Sequence, residues 1–394
     1  MPFDDELARR YPHLTFSKQW ALGESTSYLL GECDAIVRAI CLIPLQPKRR
    51  HDLLRVALIK GAKATTAIEG NTLTEAEVRQ VAEGESLPVS KQYQEREVKN
   101  ILDAMNAIGD SVTRGGDAAL MSAEQIKRFH QAVGRELGEH FDAIPGRFRT
   151  DSRVVGRYLC PRPEHVEELI ERLCAWLPTE FGFPANTQTF AQAVVQAIVT
   201  HVYLEWIHPF ADGNGRTGRL LEFYILLRGG NPDIASHILS NFYNETRPEY
   251  YRQLEQAGQT RDLSAFLAYA IQGYYDGLYN ILETIAASSM ETAWRELVYG
   301  MFDQRPHRKH VVAKRKRAVA LAMMPGDELL PDQIMMLKPE LTRQYGSKTV
   351  RTLERDLDEL VAMKILLEQD GKYTLNLGLL GTQMAMRRIT RRQA

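Results

Sequence analysis

Cysteine is scarce in this 394-residue chain: Cys33, Cys41, Cys160 and Cys174 are its four, and no two stand in a C-x-x-C spacing. That argues against a zinc ribbon, a thioredoxin-type motif and a disulfide-stapled scaffold, and it suits a reducing compartment. A dominant sign of charge is also missing. The 49 Lys and Arg against 50 Asp and Glu leave a formal net charge of −1, so the whole molecule is no polycation built for nucleic acid. No apolar run reaches the roughly 18 residues of a membrane span, so neither a transmembrane helix nor a membrane partner is expected. The opening MPFDDELARRYPHL lacks the apolar stretch of a secretory signal, and internal repeats are absent. A cytoplasmic location is the expectation.

What is present belongs to a soluble globular protein: 44% hydrophobic and 25% charged residues. At about 150 residues per domain the length suggests two or three domains. The charge is uneven. Residues 301–394 hold 18 Lys/Arg and 11 Asp/Glu, a net of +7; the remainder holds 31 and 39, a net of −8. An acidic body with a basic C-terminal piece suggests two functions in one chain.

The apolar spacing predicts a mainly α-helical protein. Residues 1–110 form an N-terminal helical region, 111–298 a helical core and 305–394 a separate C-terminal domain. In the first, Leu53, Val56, Ala57, Lys60, Ala64 and Ile68 keep helical spacing up to a capping Gly70. Thr74 and Glu77 give a capping box, and helix resumes around Tyr93–Met105. Residues 109–117 read as a loop. A helix from Ser122 to Leu137 ends at Gly138. Residues 146–163, GRFRTDSRVVGRYLCPRP, read as a hairpin or flap, because Pro161 and Pro163 forbid continued helix. The segments 189–207 and 219–228 are apolar nearly all round, as buried central helices are. The polar, glycine-rich loop between them is therefore held at the centre of the fold.

That loop reads HPFADGNGRTGR, residues 208–219. Gly213, Asn214 and Gly215 can turn their N–H groups into an anion nest at a helix N-terminus. Arg216 and Arg219, one turn up on the same side, add guanidinium groups suited to phosphate oxygens. Asp212 is a lone carboxylate beside this positive nest and suits a Mg²⁺ bridging to phosphate. His208 is the only nearby side chain that titrates near neutrality, and so the candidate general base. Base, metal ligand and polyphosphate cradle together point to phosphoryl or nucleotidyl transfer. A P-loop fits poorly, since Arg219-Leu220 stands where Lys-Ser/Thr is required. A zinc site from His201, Glu205 and His208 lacks the H-E-x-x-H order, and His201 on an apolar helix reads as a core histidine.

HPFADGNGRTGR resembles the Fic family motif H-P-F-x-D/E-G-N-G-R-x-x-R at all nine fixed positions. The flap sequence, the central helix pair and LSNFYNETRPEYYRQL (239–254) resemble the family core, so the likeness spans roughly residues 40–290. Residues 65–70, TTAIEG, are similar to the family's inhibitory motif S/T-x-x-x-E-G/N. The resemblance implies an enzyme that transfers AMP from ATP to a Ser, Thr or Tyr hydroxyl of a protein, itself included. By that likeness His208 takes the hydroxyl proton and Asp212 ligates Mg²⁺. Gly213, Asn214 and Gly215 form the anion hole, and Arg216 and Arg219 hold the β- and γ-phosphates. Phe210 and Pro209 anchor the loop, Tyr251 lines the adenine side, and the flap at 153–158 pairs with target main chain. Glu69, sharing a helix face with Thr65, pairs with Arg219 and holds the enzyme off.

The C-terminal domain reads as helices followed by a hairpin at Asp370-Gly371, a winged helix-turn-helix pattern. Its third helix carries the stripe Val350, Leu353, Leu357, Leu360, with Ser347 as N-cap. The same helix has Lys348, Arg351 and Arg355 against Glu354, Asp356, Asp358 and Glu359, a net of −1, which is unlike a groove-reading helix. DNA, protein docking and self-association all stay open for this domain, and the basic run 305–317 reads as a solvated helix face. Three other functions stay open too: a different phosphate-containing donor, AMP removal, and a DNA-binding regulator that uses the core as a nucleotide sensor.

Overall fold

The computed structural model describes residues 6–115, 121–182, 189–303, 310–346, 348 and 350–381. The chain falls into two compact units, Met1–Glu283 and Thr284–Ala394. The first is helical: α1 (Glu6–Arg10), α2 (Glu24–Leu42), α3 (Pro47–Ala67), α4 (Glu75–Ala82), α5 (Gln92–Thr113), α6 (Ala123–Val133), α7 (Pro163–Phe181), α8 (Phe190–Ile207), α9 (Asn214–Arg228), α10 (Ile238–Glu245), α11 (Arg247–Thr260) and the start of α12 (Ser264–Asp303). Between α6 and α7 stands a small antiparallel hairpin, β1 (Val154–Val155) and β2 (Tyr158–Leu159), with Val154 opposite Leu159.

The centre of this unit is α8. Every residue from Ala193 to Leu204 is buried. A helix apolar on all faces cannot sit at a surface, so its neighbours are arranged around it. A capping box fixes its start: the Thr189 hydroxyl accepts from the Gln192 N–H at 3.2 Å, and the Thr189 N–H donates to Gln192 Oε1 at 2.8 Å. α9 packs against α8. Gly218 lets it approach, since a Cβ there would stand 2.7 Å from His201 Nδ1. α5 and α6 cover α9, α7 covers α8, and α3 packs on α5, α9 and α10.

Two helix limits differ from the sequence expectation. α5 runs on through Gly109 to Thr113, where the Thr113 hydroxyl returns a 2.7 Å bond to the Gly109 carbonyl. Residues 116 and 117 of the expected loop lie outside the described residues. α6 stops at Val133, not Leu137, with Gly134 as its cap. A Cβ at Gly134 would lie 2.3 Å from Phe141 Cε1, so the chain turns there to bring Phe141 inward. The caps read at Gly70 (φ +101°) and at Thr74–Glu77 are both formed.

The second unit continues α12 and adds α13 (His310–Ala322), α14 (Pro331–Met336), α15 (Pro339–Tyr345), α16 (Val350–Ala362) and a hairpin of β3 (Leu366–Gln369) and β4 (Lys372–Leu375). Asp370 and Gly371 both take positive φ, as a tight two-residue hairpin turn requires. Leu353, Leu357 and Leu360 of α16 are buried in a core with Trp294, Val298 and Phe302. The expected cap Ser347 and the side chain of Val350 lie outside the described residues.

In the described part of the basic run Lys314 is exposed, but the next three cations are not a solvated face. Arg315 Nε donates to Asp356 Oδ2 at 2.6 Å, Lys316 pairs with Glu359, and Arg317 lies 4.3 Å over the Tyr299 ring. Two of the four acids of α16 that made this helix look ill suited to DNA, Asp356 and Glu359, are thus counter-ions of α13. Asp356 is fully buried and also accepts from the Tyr345 hydroxyl at 2.9 Å. Removing it strands a buried guanidinium. Asp356→Ala should therefore lower the stability of this unit by about 3–5 kcal/mol. Proteolytic cleavage within 284–381 at increasing urea measures this, and susceptibility equal to the parent's contradicts it.

Candidate active site

The site begins where α8 ends. His208 is the C-terminal cap of α8, in the left-handed region at φ +49°, ψ +59°, and its N–H donates to the Leu204 carbonyl at 2.8 Å. A non-glycine residue in this region carries a conformational cost and must be held from several sides. Here the next turn does so. Phe210 is fully buried and stacks on the His130 ring at 3.6 Å, and Asn214 clamps it by its backbone. The Asn214 carboxamide accepts from the Phe210 N–H at 2.9 Å and donates to the Phe210 carbonyl at 2.8 Å. The side chain of Asn214 is therefore fully used in closing the loop, and only its backbone N–H faces forward as part of a nest. His130 secures the loop a second time. Its Nδ1 accepts from the Gly146 N–H at 2.9 Å, so Nε2 carries the proton and donates to the Asp212 carbonyl at 2.9 Å.

α9 starts at Gly213, whose φ of +80° and 2.9 Å approach of a would-be Cβ to Phe141 Cζ require glycine. No side chain caps α9. The first N–H groups of a helix have no partner within it, so Asn214, Gly215 and Arg216 present theirs outward with the positive end of the helix dipole. The Gly213 N–H is already taken, by Asp212 Oδ1 at 2.5 Å.

The charged residues are brought together here, each with a partner. Arg216, almost completely buried, pairs with Glu97 of α5 and with Asp212 Oδ1 at 2.7 Å. Glu97 in turn accepts from the Tyr93 hydroxyl at 3.1 Å and the Asn71 amide at 3.0 Å. Arg219, also buried, donates to Glu69 Oε1 at 2.5 Å and to the Thr65 carbonyl at 2.9 Å. Glu69 does not share a helix face with Thr65 as expected. α3 ends at Ala67, and Glu69 stands in the following turn, its N–H on the Thr66 carbonyl. Thr65 serves Arg219 through its carbonyl, while its buried hydroxyl has no partner. The Glu69 carboxylate also lies where a Cβ at Gly215 would be, 2.2 Å away, over the start of α9. Burial would raise the pKa of Glu69, but Arg219, with Arg216 and Arg247 behind it, outweighs burial and holds the group below the usual carboxylate range. Tyr251 of α11 is exposed beside this turn, its hydroxyl 3.5 Å from the Ile68 carbonyl.

Burial and the nearby Arg149 cation push the His208 pKa down to about 4, against the opposing pull of the Glu205 carbonyl and of Glu69. The imidazole is therefore neutral at neutral pH and able to accept a proton. One turn before it, Glu205 is pushed up to about 7 by burial and by Glu69. Beneath the site, His201 Nε2 meets the Tyr250 hydroxyl at 2.8 Å, a core contact.

Asp212 is the carboxylate that could hold a metal. Its Oδ1 is engaged, but Oδ2 has only a long 3.4 Å contact to the Asp142 N–H, and the side chain is 31% exposed. No cluster of three His, Cys, Asp or Glu suited to a metal exists among the described residues. The donor set thus fits a Mg²⁺ completed by phosphate oxygens and water, not an ion held by protein alone.

Sequence reasoning missed Arg149, His130 and Glu97, and weighed Glu205 only as a zinc ligand. Arg149 lies in the flap segment GRFRTDSRVVGRYLCPRP, whose pattern points to no role for it. Tyr93 and Glu97, spaced i, i+4, were one faint sign of a polar face. His130, single on an amphipathic helix, gave none.

The family described as Fic/DOC matches this chain over residues 120–226. Among curated proteins, protein adenylyltransferase fic-1 of Caenorhabditis elegans is 33% identical over 205 residues, covering 52% of this chain and 37% of that protein. The chain thus spans less than half the length of the curated relatives it matches. Among solved structures, a Fic family protein from Desulfovibrio desulfuricans shares the fold at TM-score 0.57 and 22% identity, covering 91% of this chain and 98% of that one. A fragment of C. elegans Fic-1 shares it at TM-score 0.55 and 24% identity, covering 67% and 73%. The geometry of the 208–219 loop, the sequence match and the shared fold agree, and residues 120–226 of this chain form a Fic/DOC-family domain.

Proposed function

We propose that the chain is a protein adenylyltransferase, transferring AMP from ATP to a Ser, Thr or Tyr hydroxyl of a protein, and that Glu69 holds it in an inhibited state. The observation that carries this reading is a neutral, half-buried His208 beside the uncapped N-terminus of α9. The curated relatives named protein adenylyltransferase support it.

In this reading the acceptor hydroxyl attacks the α-phosphorus of ATP as His208 takes its proton. The O–P bond to the acceptor forms, the bond to the β-phosphate oxygen breaks, and pyrophosphate leaves. The backbone N–H groups at the start of α9 face the charge that develops on the phosphoryl oxygens. Asp212 would hold a Mg²⁺, which when bound would supply neutralisation of phosphate charge. Arg219 holds the outer phosphates once Glu69 releases it. Arg216, enclosed by Glu97 and Asp212, orients Asp212 in this reading and reaches phosphate only if one partner is exchanged. The exposed Val154, Val155 and Leu159 of the hairpin offer an edge for main-chain pairing with the target. Tyr251 stands at the same mouth, on the adenine side.

The brake is a competition for one guanidinium. A carboxylate bidentate or charge-assisted on Arg219 occupies the place of a γ-phosphate oxygen. Self-modification belongs to the same chemistry. The C-terminal unit is read as a winged helix-turn-helix that docks protein, since Arg315 and Lys316 are committed to Asp356 and Glu359.

Two outcomes test this reading. With [α-³²P]ATP and Mg²⁺, Glu69→Gly should label itself or a lysate protein at least tenfold more than the parent. Adding His208→Ala should cut that labelling by about 10²–10⁴-fold, the usual worth of a general base. Equal labelling in parent and Glu69→Gly removes the inhibition claim and leaves the chemistry. No α-label in any sample, with nucleotide still bound, removes the chemistry. The pH profile is the second outcome. His208 is neutral above its depressed pKa of about 4, so labelling by Glu69→Gly should hold as pH falls from 7 and be lost only as it passes through about 4. Removing the Glu69 charge shifts that limb further down, not up. An acid limb near 6.5 would mean an unshielded histidine or another base.

A further inference from the structure

Arg149 is buried, yet none of its hydrogen bonds runs to a carboxylate side chain. Nε donates to the His208 carbonyl at 2.7 Å, Nη1 to the Asp151 carbonyl at 2.6 Å and Nη2 to the Pro161 carbonyl at 2.5 Å. Its own N–H donates to the Pro209 carbonyl at 2.9 Å. The other buried arginines described here, Arg216, Arg219 and Arg315, each have a carboxylate within reach. A guanidinium held only by carbonyls keeps its net positive charge, and burying it is costly. Stabilising the fold alone is served better by a neutralised pair.

Those carbonyls mark what the arrangement accomplishes. Two belong to His208, whose backbone is in the left-handed region and must be held, and to Pro209, which follows it. The other two, Asp151 and Pro161, bracket the hairpin of β1 and β2. From this geometry, and resting on the reading of His208 as base, we infer that Arg149 is a positioning residue for the transfer reaction: it fixes the left-handed His208 backbone and ties it rigidly to both ends of the substrate-facing hairpin. A target strand that settles on the hairpin is thereby registered against the base, and the proton acceptor cannot drift as the hairpin moves. The retained charge does a second job beside His208. The charged groups that act on that imidazole are Arg149 and Arg153 on the flap segment, which disfavour its protonation, and Glu69 after α3, which favours it, with the Glu205 carbonyl of α8. Arg149 is the largest of the charge effects.

Arg149→Gln and Arg149→Lys separate the two roles. Gln keeps amide donors and loses the charge; Lys keeps the charge and loses the fork. The first readout is the NMR titration of the His208 ring in the full chain without nucleotide, so it stands whether or not the transferase reading does. The midpoint should rise by one pH unit or more in Arg149→Gln and stay near the parent's in Arg149→Lys. The second readout is self-labelling in the Glu69→Gly background. Both variants should lose at least tenfold in kcat with KM for ATP changed less than threefold, and Lys should not rescue. A His208 midpoint unmoved in Arg149→Gln together with kcat within twofold overturns the proposal. So does a fall in thermal stability alone. Should Arg149→Gln fail to fold, Arg149→Lys decides: kcat within twofold of the Glu69→Gly parent overturns the positioning role. Absence of labelling in the Glu69→Gly parent itself, with the NMR shift present, points to failure of the transferase reading and not of the clamp.

Discussion

Two guanidinium groups buried at the start of α9 constrain this unit more than any other feature. Arg216 and Arg219 emerge one turn apart beside a helix N-terminus that is itself positive. Left unpaired, such charges would cost several kcal/mol each. Their counter-ions do not come from the neighbouring helix α8. They come from α5, through Glu97, and from the turn after α3, through Glu69, with Asp212 completing the set. The N-terminal helices are therefore bound into the core by a charge requirement as much as by apolar packing. Asn71 shows how closely the two are joined: its amide donates to Glu97, while its N–H closes the end of α3 that carries Glu69.

The same constraint explains why the loop itself is rigid. A polar loop at the centre of a fold must satisfy each backbone group internally. Asn214 bonds both ends of Phe210, His130 holds the Asp212 carbonyl, and Arg149 holds those of His208 and Pro209. Phe210 is locked between aromatic rings. What remains unsatisfied is the forward face of the α9 N-terminus, where under the proposed activity the phosphate groups lie. Rigidity behind and unmet donors in front are two sides of one arrangement.

How much of this was legible in the sequence follows from the range of each interaction. The capping box at Thr74, the turn at Asp370-Gly371 and the all-apolar α8 depend on neighbours a few residues away. Their signals are local and could be read. The HPFADGNGRTGR loop was legible as chemistry because its residue types are costly anywhere except at an anion site. The end of α6 was misread because Gly134 is set by Phe141 packing, a tertiary effect that helical periodicity does not contain. The basic run was misread for a similar reason: whether Arg315 and Lys316 face water depends on Asp356 and Glu359, some 40 residues on. Arg149 and His130 act through backbone carbonyls and N–H groups, and no side-chain pattern reports a carbonyl partner.

Electrostatics around His208 divides the site into groups kept neutral and groups kept charged. Burial leaves His208 and His130 unprotonated, with pKa values near 4, and raises Glu205 to about 7. The arginines stay charged, and Glu69 is held ionised by them. Glu69 and Glu205 repel each other near the same guanidinium, Arg219. The Glu69 carboxylate thus helps keep Glu205 protonated. When Glu69 leaves, Arg219 loses its hydrogen-bonded counter-charge while Glu205 becomes easier to ionise beneath it. Under the proposed release of Glu69, Glu205 would be the remaining carboxylate whose charge acts on Arg219 from within the core.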